Sequence, residues 1–225
     1  MKRTKNILLS LLCLSLLLCA CTSVDPEKAF ADSILAIPST GSQALYVQLD
    51  TMEELFTVTK ANLVVRCQVI ERAETTVEDP FGVYTAELLT DPTVDERMRQ
   101  GAVECIATPY TLQVTDVYFG DTYAEDDRIP YYAPYGILGD ISYRQNGYPV
   151  LQVGEEYILF LRVDNVKGKW VYYPAHPLYS FYPVSKDTSL QTITRADTTE
   201  PDALAMEIQD LVAQNEFDAA VEYYS

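Results

Sequence analysis

The stretch Val150–Val163, VLQVGEEYILFLRV, decides the reading of this chain. Gly154-Glu155-Glu156 reads as a tight turn or bulge, and an apolar run begins at Tyr157. In an extended chain Tyr157, Leu159, Leu161 and Val163 share one face, and Ile158 and Phe160 point to the other. Apolar side chains on both faces require cover on both sides, and seven residues suit a strand better than a helix. The segment is therefore expected to be a central strand of a β-rich domain.

The chain has 225 residues, 48% of them hydrophobic, enough for one well-formed core. Its formal charge is −17; removing Lys2, Arg3 and Lys5 with the first 20 residues takes it to −20. Such a surface repels phosphate backbones and anionic headgroups, so nucleic acid is excluded as an expected partner. The N-terminus holds a basic start followed by the apolar stretch Ile7–Leu18. That is short for a membrane span of about 20 residues and suits a signal peptide. Leu18-Cys19-Ala20-Cys21 then resembles the lipobox of bacterial lipoproteins, with an aliphatic residue at −3 and a small one at −1. The resemblance implies cleavage before Cys21 and a diacylglycerol on its thiol. Cys19 does not fit, because Leu18 would occupy the small-residue position. An ordinary secretory signal, with its cysteines as apolar filler, is the competing reading. The expected organisation is a signal peptide over 1–20, a lipidated N-terminus and tether over 21–45, and one domain over 46–225. The expected location is the cell membrane, lipid-anchored and facing away from the cytoplasm.

Along the domain, Thr51-Met52-Glu53-Glu54 has the form of a capping box and predicts a helix over Met52–Ala61. Leu63–Glu71 reads as a strand. Residues 73–102 read as a helical insertion, with Asp91-Pro92 opening a helix over Pro92–Gln100 and Asp95 and Arg99 spaced for a surface ion pair. Val103–Phe119 is a long strand whose alternation slips near Asp116, the mark of a bulge. If it pairs with Leu63–Glu71 as a hairpin, Cys67 falls opposite Val114, not Cys105, which favours two thiols over a disulfide. Asn146-Gly147 is a strong hairpin signal. Lys169–Tyr173, Leu178–Val184 and Leu190–Thr194 read as further strands, and Phe217–Tyr224 as a last turn. Pro201–Gln214 reads as a helix with a stripe of Leu204, Ile208, Leu211 and Val212. A short helix near Ala29 is also expected.

LVVRCQVIE, YTLQVTDVYFGD and VGEEYILFL, taken in that order, resemble the strands of netrin-like modules and tissue inhibitors of metalloproteinases. That resemblance implies a mainly β (α+β) fold: an antiparallel OB-like barrel with flanking N-terminal and C-terminal helices. It departs from the family at Phe119-Gly120, where Lys-Gly is usual, and in lacking the family's disulfides. A protease-inhibitor-like module is thus one alternative function. The zinc-chelating N-terminal cysteine of those inhibitors has no counterpart, since Cys21 lies far upstream of the first strand.

Catalytic chemistry finds little support. His176, the single histidine, sits among prolines with no nucleophile signature near it. One histidine and two separated domain cysteines make a poor zinc site. Glu125-Asp126-Asp127 lacks the spacing of a calcium loop. No enzyme and no cofactor is expected, and an envelope hydrolase is the least favoured alternative. Tyr131, Tyr132 and Tyr135 lie in the proline-bounded segment IPYYAPY and are the candidate ligand-binding residues, presented as exposed rings; the competing reading is that they simply fill strand positions, where Tyr is favoured. The expected function is a binding or interaction module whose partner is an envelope protein, a peptide or a neutral glycan.

Overall fold

The computed structural model describes residues 25–40, 47–184 and 201–224. The Leu18–Cys21 box and the strand expected at Leu190–Thr194 lie outside them. Strands β1 (Leu63–Arg72), β3 (Ile106–Phe119) and β7 (Glu156–Val166) carry the fold. β7 pairs antiparallel with β1 along one edge. Along the other edge it pairs with β8 (Lys169–Pro174) and β9 (Phe181–Pro183). β1 pairs with β3, which pairs with β4 (Arg128–Ala133) on its far side. The fold is mainly antiparallel β with a few helices. β4 lies against β8, but no ladder joins them among the described residues.

The reading of β7 holds on both faces. Tyr157, Leu159, Leu161 and Val163 are buried in the main core. Ile158 and Phe160 are buried in a second core, beneath α2 (Glu53–Thr57) and α5 (Pro201–Gln214). The β1–β3 register places Cys67 opposite Val114, and both domain cysteines are free thiols. That register skips a residue between its Arg66–Asp116 and Cys67–Val114 pairs, which is the expected bulge.

Four expectations are corrected. Helix α1 (Pro26–Leu35) lies inside the expected tether of residues 21–45, yet it is part of the fold. Ala31 and Ile34 are buried in the main core, and Arg72 grips Glu27 through two bonds of 3.1 and 3.0 Å. The same guanidinium lies 3.9 Å from the centre of the Phe30 ring. The helix expected at Pro92–Gln100 instead runs Glu96–Glu104 as α4, after a short α3 (Glu87–Thr90). Asp95 caps α4, and Arg99 pairs with Glu96 instead. Asn146-Gly147 does turn, but it joins no strand pair: residues 148–155 form no strand before β7, and Asn146 N–H donates to Thr40 O. The hairpin is β5 (Tyr135–Leu138) with β6 (Ile141–Arg144), joined at Gly139. Finally, residues Glu222–Tyr224 form strand β10, not a turn, and run parallel to β7. The insertion carries β2 (Thr76–Val77), which pairs with β3, and its helices share a third core with Tyr143 of β6.

Candidate functional site

Strand alternation distributes the three expected tyrosines. Ile129, Tyr131 and Ala133 of β4 point into the main core, and Tyr132 points outward. Tyr131 is 1% exposed and Tyr135 0%. The Tyr135 hydroxyl donates to that of Tyr110 (3.2 Å), which donates to Leu151 O (3.1 Å). Leu151 N–H returns a bond of 2.9 Å to the Tyr135 hydroxyl. Burial pushes the Tyr110 and Tyr135 phenols well above their usual range, with their mutual bond a smaller influence. These two rings are structural. The expectation that Tyr131 and Tyr135 form an exposed face with Tyr132 is corrected, and only Tyr132 reaches the surface.

The exposed aromatics lie elsewhere. The ladders align Trp170 with Asn165 and Asn165 with Tyr223, so one row crosses β8, β7 and β10 on one face. Tyr123 stacks on Trp170 with centroids 4.2 Å apart and planes at 18°. Tyr223 meets Trp170 edge-on at 6.1 Å. Tyr223 is 72% exposed, and Tyr123 is also open to solvent. Tyr224 and Phe81, both exposed, form a further pair at 6.2 Å. The sequence carried one usable signal for this row, the lone Trp170 on a strand. Its partners come from a loop and from the C-terminal strand, and only the tertiary fold brings them together.

A small groove follows the line where β4 meets β8. It is lined by Tyr132, Pro134, Val171 and Tyr173, with Pro80, Glu78, Glu104 and Cys105 at its sides, and holds about 140 Å³. Burial pushes the Cys105 thiol up to about 11, and Asp79, Glu104 and Glu78 add to the shift. A wider cleft of about 370 Å³ lies between Phe56, Lys60, Arg162 and Phe217. Its guanidinium is already engaged, by Asp164 at 3.2 Å and Glu222 at 2.8 Å.

His176 is packed. Leu178 N–H donates to Nδ1 (3.1 Å), so Nε2 carries the proton and faces Val47 O at 3.0 Å. The ring stacks on Tyr179, and burial lowers its pKa against the opposing pull of the Val47 carbonyl. Cys67 is buried, and burial drives its thiol far up, with Glu156 adding to the effect. Among the described residues no group of three or more His, Cys, Asp or Glu side chains is placed to hold a metal ion. No described helix is long and apolar enough to cross a membrane.

Fold and surface together define an α+β protein with a mainly antiparallel sheet and a surface aromatic row whose central Trp170 is half-buried against the main core. Comparison with protein-family models, with curated proteins and with solved structures gives no match.

Proposed function

We propose that this protein is a membrane-anchored extracytoplasmic lipoprotein that acts as a binding module, contacting an envelope protein, a peptide or a neutral glycan. The observation that carries the binding reading is the row Tyr123–Trp170–Tyr223. Flat, stacked rings at the surface offer contact area at low conformational cost, and β8 and β10 hold two of them on one face. The Leu18–Cys21 box supports the lipid anchor. The OB-type reading is supported by strand order: β1, β3, β4, β8 and β7 follow one another around the main core, with β4 beside β8.

The test compares wild type with Tyr123→Ala/Tyr223→Ala for capture of partners from an envelope extract and for binding on a neutral-glycan array. Tyr223 is 72% exposed and Tyr123 39%, and neither is part of a buried core, so the variant is expected to stay folded. Loss of each anchor is expected to weaken binding by about 2 kcal/mol. Unchanged capture by the folded variant would remove the row from the binding surface.

A further inference from the structure

The groove between β4 and β8 has a chemistry of its own. Its floor is apolar and aromatic, yet a carboxylate stands in its wall. Glu78 directly follows β2, and its backbone N–H is fixed on Cys105 O at 2.9 Å. Its side chain is partly withdrawn from water and makes no hydrogen bond among the described residues. Lys169 lies within electrostatic range but not within ion-pairing distance. Burial raises the carboxyl's pKa, with Lys169 opposing and Asp79 adding. Burial also raises the Tyr132 phenol, and the Glu78 charge contributes, so that charge acts on the pocket's aromatic wall. The negative potential of Glu78, Glu104 and Asp79 converges on Cys105 at the same place.

Size narrows the occupant. Pockets for drug-sized ligands measure about 300–1,000 Å³, whereas this one holds about 140 Å³, room for one long side chain. A lysine or arginine has an apolar stem for Tyr132, Tyr173 and Val171 and a cationic head for a carboxylate. We infer that the β4–β8 groove receives a lysine or arginine side chain from a basic partner protein, with Glu78 as its counter-ion. A chain of formal charge −17 favours such a partner at long range as well. This goes beyond the aromatic row, because it concerns a different site and fixes the partner's charge.

Saturation-transfer NMR on the full chain tests it, using acetylated Gly-Lys-Gly amide and its norleucine and glutamate counterparts. Transfer to the lysine methylenes is expected, with weaker transfer to norleucine and none to glutamate. Glu78→Gln, close in shape, is expected to weaken the lysine peptide roughly fivefold, the size of one half-buried ion pair. Leu35→Ala, at an exposed position of α1 outside both the groove and the row, is expected to leave it unchanged. Should Glu78→Gln not fold, added salt on wild type decides: it must weaken lysine and spare norleucine. Equal transfer to lysine and norleucine, unaltered lysine binding in folded Glu78→Gln, or no transfer to lysine each overturns the proposal.

Discussion

Tyr131 and Tyr132 show what a single residue step decides. Neighbours on one strand point to opposite faces, so no three-ring surface can include both. That rule was available in the sequence, and it already separated Tyr131 from Tyr132. What the sequence did not show was which of them faces the core, because proline on each side hides the alternation of IPYYAPY. His176 was legible only as a lone histidine; its burial comes from Val47 and Tyr179, one distant and one near in the chain. Its lowered pKa gives a pH dependence of known sign. The folded state holds the neutral ring, so this contribution is complete above the unfolded value of about 6.5. It is lost as pH falls through the lower folded value. The gap in melting temperature between wild type and His176→Asn is therefore expected to shrink between about pH 7.5 and about pH 5. A gap constant across that range would contradict a neutral, packed His176.

At the scale of elements, β7 was legible because its two faces are both apolar, and the length of the run suits a strand better than a helix. The start of α4 was not. Asp91 before Pro92 has the form of a cap, but its carboxylate is taken by the Thr93 N–H at 2.8 Å and the Thr93 hydroxyl at 2.7 Å. Asp95 instead accepts from Arg97 N–H and Met98 N–H. The hairpin at Asn146-Gly147 failed for a tertiary reason: Thr40 holds the chain there and bridges to Gln145. A local turn signal does not report such a partner. The junction of β1, β7 and β10 was equally hidden. There β10 takes up the edge of β7 that β1 leaves, and the Asn62 side chain fills the gap. Its Oδ1 accepts from Val163 N–H at 2.7 Å, and its Nδ2 donates to Val163 O at 2.9 Å and to Ala220 O at 3.1 Å. Gly120 permits the close approach, since a Cβ there would stand 2.0 Å from Asn62 O. Asn62→Ala leaves buried backbone groups of Val163 unpaired and is expected to cost about 2–4 kcal/mol in urea denaturation. Faster proteolysis after residue 214 is expected alongside. Wild-type stability with an unaltered cleavage pattern would show that β10 does not depend on this amide.

For the whole molecule, the anchor and the fold set one another's limits. α1 is capped at Asp25 and buries Ala31 and Ile34 in the main core. A lipid on Cys21 would leave four residues before that cap, at most about 14 Å of extended chain. The domain would then be held close to the bilayer, and its negative surface would meet anionic headgroups with repulsion, leaving the lipid as the main attachment. Intact mass of the membrane-extracted protein is expected to show Cys21 as the first residue with a diacylglycerol attached. A mature form cut elsewhere and carrying no lipid would contradict the anchor.

A binding surface on the Tyr123–Trp170–Tyr223 row is tested by site-specific photocrosslinking in intact envelopes. A photo-reactive phenylalanine replaces Tyr223 in one sample and Leu35 in another. Leu35 is the control because it is 52% exposed and apolar but lies on α1, outside the row. A discrete adduct from position 223 that is absent from position 35 is expected. Adducts from position 35 alone, or the same adducts from both positions, would contradict it.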